Sequence, residues 1–136
     1  MEGAVFYDPN FPFHDGEFGQ KFFVILNNGQ DGSFLTVLTT TKQKRMSGVA
    51  GCHANDFPAN YHCSGGSDFP EDSWLLIGEI YEFDCYIVMQ KIKQALIAQK
   101  APVSSKTLID VLDCTINSQD LSLDHQHRLE LFRTSL

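Results

Sequence analysis

The chain has 136 residues, of which 43% are hydrophobic and 20% charged, a balance that fits one globular domain long enough to bury a real core. Its net charge of −7 argues against strong non-specific binding to nucleic acid, because phosphate contacts need Lys and Arg. No apolar stretch reaches the ~18 residues that span a bilayer, so no membrane partner is expected.

The N-terminal residues Met1-Glu2-Gly3-Ala4 carry no basic n-region, so a cytoplasmic location is expected. Cys52, Cys63, Cys85 and Cys114 are then expected as reduced thiols. Residues 3–7 read as a short first strand. Asp8 to Gly16 reads as a loop, because Pro9, Pro12 and Gly16 interrupt any regular pattern. Two aromatic and β-branched runs follow, predicting strands at about 22–27 and 34–40. Asn28-Gly29-Gln30-Asp31-Gly32 joins them and can close a hairpin, since Gly tolerates positive φ.

The second run ends in Thr39-Thr40-Thr41 and then Lys42, Lys44 and Arg45. Such a strand delivers hydroxyls and cations to one end of a sheet. Residues 42–58 contain Gly48, Gly51 and Pro58 without a sustained period, which predicts a long loop and the most mobile part of the domain. Asn60-Tyr61-His62-Cys63 reads as a third strand. Ser73 to Phe83 reads as a fourth and fifth, bent at Gly78. Alternation places Trp74, Leu76, Val24, Leu26, Leu35 and Val37 in one shared core.

The period changes near residue 85. Val88, Met89, Ile92, Ala95 and Leu96 predict a helix over 86–100, ended by Pro102. Ser104 or Ser105 caps a second helix through Ile116, and Asp120 or Ser122 a third through Phe132. Strands first and helices afterwards predict an α+β domain over residues 1–136, strand-rich over 1–84 and helical over 85–136.

This order of elements resembles the PemK/MazF family of toxin ribonucleases. The segments that carry the resemblance are His14-Asp15-Gly16-Glu17-Phe18-Gly19-Gln20-Lys21, which opens a buried strand, and Leu35 to Thr41, a strand ending in Thr. The third is Asp72-Ser73-Trp74-Leu75-Leu76-Ile77-Gly78-Glu79-Ile80-Tyr81-Glu82-Phe83-Asp84. The resemblance covers about residues 3–100 in element order. It implies an antiparallel SH3-like β-barrel of five to six strands, followed by two or three helices. It also implies a toxin of a toxin–antitoxin system: an endoribonuclease that cleaves RNA without metal or cofactor, forms a homodimer and is neutralised by a small antitoxin protein. Two departures stand out. Lys21-Phe22 replaces the family's Arg-Pro, and Leu76 and Gly78 occupy the positions of an Arg and an Asp on the later strand.

Metal-free RNA cleavage needs a base for the 2′-OH proton, an acid for the leaving oxygen and a cation for the phosphorane charge. His14 supplies proton transfer, Lys21 a point charge and Thr41 a hydroxyl, which makes these the catalytic candidates. Thr39, Thr40, Lys42, Lys44 and Arg45 are the RNA-binding candidates. Each also has an ordinary explanation: a solvated loop His, an edge-strand Lys, β-favouring Thr and a solvated basic loop. One alternative is the same fold without nuclease activity, serving as a protein-binding module.

Another alternative is a zinc-stabilised interaction domain. Cys52, His53, His62 and Cys63 offer a good donor set for tetrahedral Zn²⁺, but adjacent Cys and His point different ways on an extended chain. His125 and His127 receive no role. The crowded Phe6, Tyr7, Phe11, Phe13, Phe18, Phe22 and Phe23 are read first as core, with loop aromatics as a stacking surface for bases as the other reading.

Overall fold

A computed structural model describes all of residues 1–136. The elements are β1 (Val5–Pro12), β2 (Phe18–Ile25), β3 (Ser33–Thr40), β4 (Gly51–His53), β5 (Asn60–Cys63), β6 (Ser73–Leu75), β7 (Tyr81–Asp84), α1 (Cys85–Lys93), β8 (Ala98–Lys100), α2 (Ser105–Ile116) and α3 (Leu123–Thr134). The fold is α+β. One sheet runs in the order β4-β5-β6-β3-β2-β1-β8, with β7 also paired to β3, and every pairing is antiparallel. It has eight strands instead of the expected five to six, and it is open, ending at β4 and β8.

β3 organises the sheet. One edge pairs with β2 from Thr36 to Thr39. The other pairs with β7 over Ser33–Thr36 and with β6 over Thr39–Thr40. Gly78 lies in the turn between β6 and β7, so the bend expected there is where one chain segment hands over to the next. The sheet also curls. Three strand spacings, about 14 Å in a flat sheet, would separate β1 from β7, yet the Phe11 ring lies 5.0 Å from Tyr81 and 5.5 Å from Phe83.

Alternation along the strands makes two cores. Val24, Leu26, Leu35, Val37, Leu75 and Ile77 face α2 and α3, where Val111, Leu112, Leu129 and Phe132 meet them. Phe6, Phe11, Phe23, Ile25, Phe34, Leu38 and Tyr81 fill the concave side with Val88 and Ile97. The crowded N-terminal aromatics thus divide: Phe6, Phe11 and Phe23 are core, while Phe18 and Phe22 are exposed.

Several expectations are corrected here. Leu75 and Ile77, not Trp74 and Leu76, join Val24 and Val37 in the shared core; the assumed register of β6 was one residue out, which swaps the faces of a strand. Asp8 to Pro12 continues β1 through a bulge between Asp8 and Phe11. α1 stops at Lys93, and Ala95 takes a left-handed φ of 57°. Ala98–Lys100 then pairs with Val5–Tyr7 as β8, seating Ile97 in the concave core.

Residues 42–58 are not one uninterrupted loop. Gly51–His53 pairs with Asn60–His62, Met46 is buried, and the indole N–H of Trp74 donates to the Ser47 carbonyl at 2.8 Å. A disulfide joins Cys52 on β4 to Cys114 on α2 across 62 residues. The reduced-thiol expectation therefore fails for these two cysteines and holds for Cys63 and Cys85. The helix caps agree with the sequence: Ser104 accepts from the Thr107 N–H and Ser122 from the His125 N–H. No helix is long and apolar enough to cross a membrane.

Candidate functional site

Lys21 and Thr40 start the site. The Phe22–Thr39 and Phe23–Leu38 pairings put Lys21 on β2 beside Thr40 on β3, with both side chains on one face. The chain then leaves the sheet. The Lys42 N–H donates to the Thr40 hydroxyl, and Lys44 turns the backbone at a φ of 49°. The Gln43 side-chain amide donates to the Met46 carbonyl, and Trp74 holds Ser47 as described. These contacts aim Lys42, Lys44 and Arg45 at the depression that Lys21 and Thr40 line, about 290 Å³ in volume and closed on its far side by Pro58 and Leu76.

None of these four cations is paired with a carboxylate. Ion pairs instead occupy Lys91 with Asp8, Lys106 with Asp110, Arg133 with Asp113, and Arg128 with Asp31, Glu82 and Asp124. On a chain of net charge −7, four of the six cations without a carboxylate partner thus gather at one place, while Lys93 and Lys100 lie elsewhere.

Thr39 and Thr41 are separated from this set. They line a different depression with Phe22, Asp68 and Lys100. The pleat is the reason: neighbours along a strand project to opposite faces, so only Thr40 of the three joins Lys21.

His14 sits in the β1–β2 turn. Its ring stacks on Tyr81 at 3.8 Å between centroids, and its Nδ1 lies 3.9 Å from Glu79 Oε1. Burial, and then hydrogen bonding to Glu79, push the Tyr81 hydroxyl up to about 12, so it stays protonated near neutrality. Tyr81 and Glu79 line a second depression of about 270 Å³ together with Phe57, Gly78 and Asp120. The two depressions share Pro58 and Leu76 as a common wall. They form one trough, basic at one end and aromatic and acidic at the other. Lys21 lines the first depression, whereas His14 lines neither and only stacks on Tyr81, so the two catalytic candidates are not brought into one pocket.

Glu79 and Tyr81 fall in the third segment of the resemblance but received no role from it, and Phe57 and Asp120 carry no motif in the sequence. Phe57, 91% exposed in the turn before β5, is the one with a local signal, a large aromatic in a Pro-containing loop.

The zinc set does not assemble. Cys52 is bonded to Cys114, while His62 is buried with its ring stacked on Trp74 at 4.3 Å and its Nδ1 at the Ser73 carbonyl. His53 contacts the Val49 carbonyl and Asp56. A different acidic group, Glu82, Asp124 and His125, has its ligand atoms close together. A guanidinium fills that position: Arg128 lies 2.9 Å from Glu82 and 3.5 Å from Asp124, and His125 bonds Glu82 at 2.9 Å. His125, given no role from the sequence, thus fastens α3 to β7. No protein-family model matches the chain, and no curated protein matches it.

Proposed function

We propose that this chain acts on single-stranded RNA, with the backbone phosphate held by Lys21, Lys42, Lys44 and Arg45 and the neighbouring nucleotide lying along the trough. The observation that carries this reading is the convergence of four unpaired cations on one depression of an otherwise acidic protein. Cations without carboxylate partners keep their charge available for phosphate, and their neutralisation of an anion releases counterions. The Thr40 hydroxyl adds a short-range donor beside them.

In this reading the protein works as a PemK/MazF-like toxin ribonuclease, and the proton-transfer group is His14. Glu79 and the Tyr81 ring orient its imidazole. His14 takes the 2′-OH proton, the 2′ oxygen bonds to the adjacent phosphorus, the P–O5′ bond breaks, and solvent water protonates the leaving 5′ oxygen. Lys21 and Arg45 stabilise the charge on the phosphorane oxygens. The products are a 2′,3′-cyclic phosphate and a 5′-hydroxyl end. A small antitoxin would neutralise the protein by covering the trough.

A second reading keeps the RNA-binding surface without cleavage. Leu76 lines both depressions and Gly78 the second, with no charge at either position, and Thr41 faces away from Lys21.

Incubation of the protein with end-labelled single-stranded RNA in the presence of a chelator tests both. Retarded RNA with cyclic-phosphate products supports cleavage, and His14→Ala should then lower its rate by ~10²-fold or more. Retarded but intact RNA selects the second reading. RNA that neither shifts nor breaks at low salt refutes both.

A further inference from the structure

We infer that the second depression is a subsite for an unpaired guanine base, read by the carboxylate of Asp120 and stacked on Phe57. This inference deepens the RNA reading and rests on it.

The depression, a slot of about 270 Å³, is lined by Leu38, Leu76, Gly78 and Phe57, whose ring is exposed. A base has a π-face whatever its identity, so an exposed ring beside a phosphate-binding pocket is a stacking platform. Gly78 keeps the slot open. A Cβ there would come within 3.2 Å of Asp120 Oδ2 and 3.4 Å of Ala59 Cβ. The same close approach places the Asp120 carboxylate at the slot's edge.

The charge pattern sorts a nucleotide end from end. Glu79 and Asp120 make the second depression acidic and repel phosphate, while the first depression attracts it. The shared wall of Pro58 and Leu76 keeps the two ends adjacent along one strand.

The identity of the base follows from the donor inventory. No protein donor engages the Asp120 carboxylate; only its backbone N–H is bonded, to the Ser118 hydroxyl. A carboxylate accepts two parallel hydrogen bonds from a partner with two adjacent donors. Guanine alone among the four bases presents that pair, N1–H and N2–H, on its Watson–Crick edge. Adenine and cytosine offer an amine beside an acceptor, and uracil one N–H between two carbonyls that a carboxylate repels. Use of the Watson–Crick edge also restricts the site to unpaired RNA.

The test is fluorescence anisotropy with short labelled uridine tracts, 2′-O-methylated to block cleavage, whose central nucleotide is uridine, guanosine or inosine. The guanosine tract should bind roughly tenfold more tightly than the all-uridine tract, as a charge-assisted bidentate contact implies. Inosine, which lacks the N2 amine, should fall between them. Asp120→Asn, with its fold verified by circular dichroism, should bring the guanosine-to-uridine ratio to about one, because an amide no longer offers two acceptor oxygens. Equal affinity for guanosine and uridine in the parent overturns the subsite while RNA binding stands, as does an Asp120→Asn protein that keeps the full ratio. Failure of every tract to bind at low salt overturns the RNA reading and the subsite together.

Discussion

Trp74 shows how much one side chain can settle. Its ring is buried and stacks on His62, and its N–H reaches across to the Ser47 carbonyl. It therefore braces the segment that carries Lys42, Lys44 and Arg45. Trp74→Ala should cost ~3–5 kcal/mol in urea unfolding, through lost burial and a residual cavity. A loss below about 1 kcal/mol, the scale of an ordinary surface change, would contradict that role.

Glu82 makes a second residue-level prediction. Hydrogen bonding from Ser33 first, then from His125 and Arg128, against an opposing burial effect, lowers its carboxyl from 4.5 to about 2. A lowered folded-state value means that the charged form stabilises the fold. The contribution is complete above about 4.5 and disappears as pH falls toward 2. Thermal scans across that window should show a smaller acid-induced drop for Glu82→Gln than for the parent, and a lower melting temperature for the variant at neutral pH.

At the scale of elements, the β4–β5 hairpin depends on contacts far away in sequence. Gly51–His53 is too short to persist alone, and the Cys52–Cys114 disulfide ties it to α2. Replacing both cysteines with Ser should lower stability by about 2–4 kcal/mol, as the removal of a long closed loop does. Unfolding with and without dithiothreitol checks this: the parent should respond to the reductant and the double variant should not. The strands β2 and β3 and the caps of α2 and α3 were legible because each has a local signal: aromatic and β-branched runs, or a Ser three residues before the N–H that it caps. β8 was not, because Ala98-Gln99-Lys100 is exposed throughout and owes its extended form to the free edge of β1.

At the scale of the whole molecule, the charge distribution decides what the surface can bind. A net charge of −7 opposes polyanions, and Lys21, Lys42, Lys44 and Arg45 oppose that sign locally at the first depression. Binding of single-stranded RNA should therefore be strongly salt-dependent, with a slope of log K against log salt near −3 for about four phosphate contacts. Lys44→Ala should make that slope shallower by about 0.7 and weaken all sequences alike. A slope near zero in filter-binding titrations would place the interaction outside the basic pocket.

The sequence by itself determined the α+β order, the caps of α2 and α3 and the basic cluster after β3. These rest on short-range physics: side-chain period, β-propensity and capping by the residues next door. Only the tertiary structure decided that Thr40 and not Thr39 or Thr41 joins Lys21, that Cys52 meets Cys114 instead of a metal, and that Phe57, Glu79, Tyr81 and Asp120 share one slot. Strand register is the physical reason for the first, since a slip of one residue exchanges the faces of a strand. Sheet curvature and chain crossing are the reason for the rest, because they bring together residues whose separation along the chain carries no local trace.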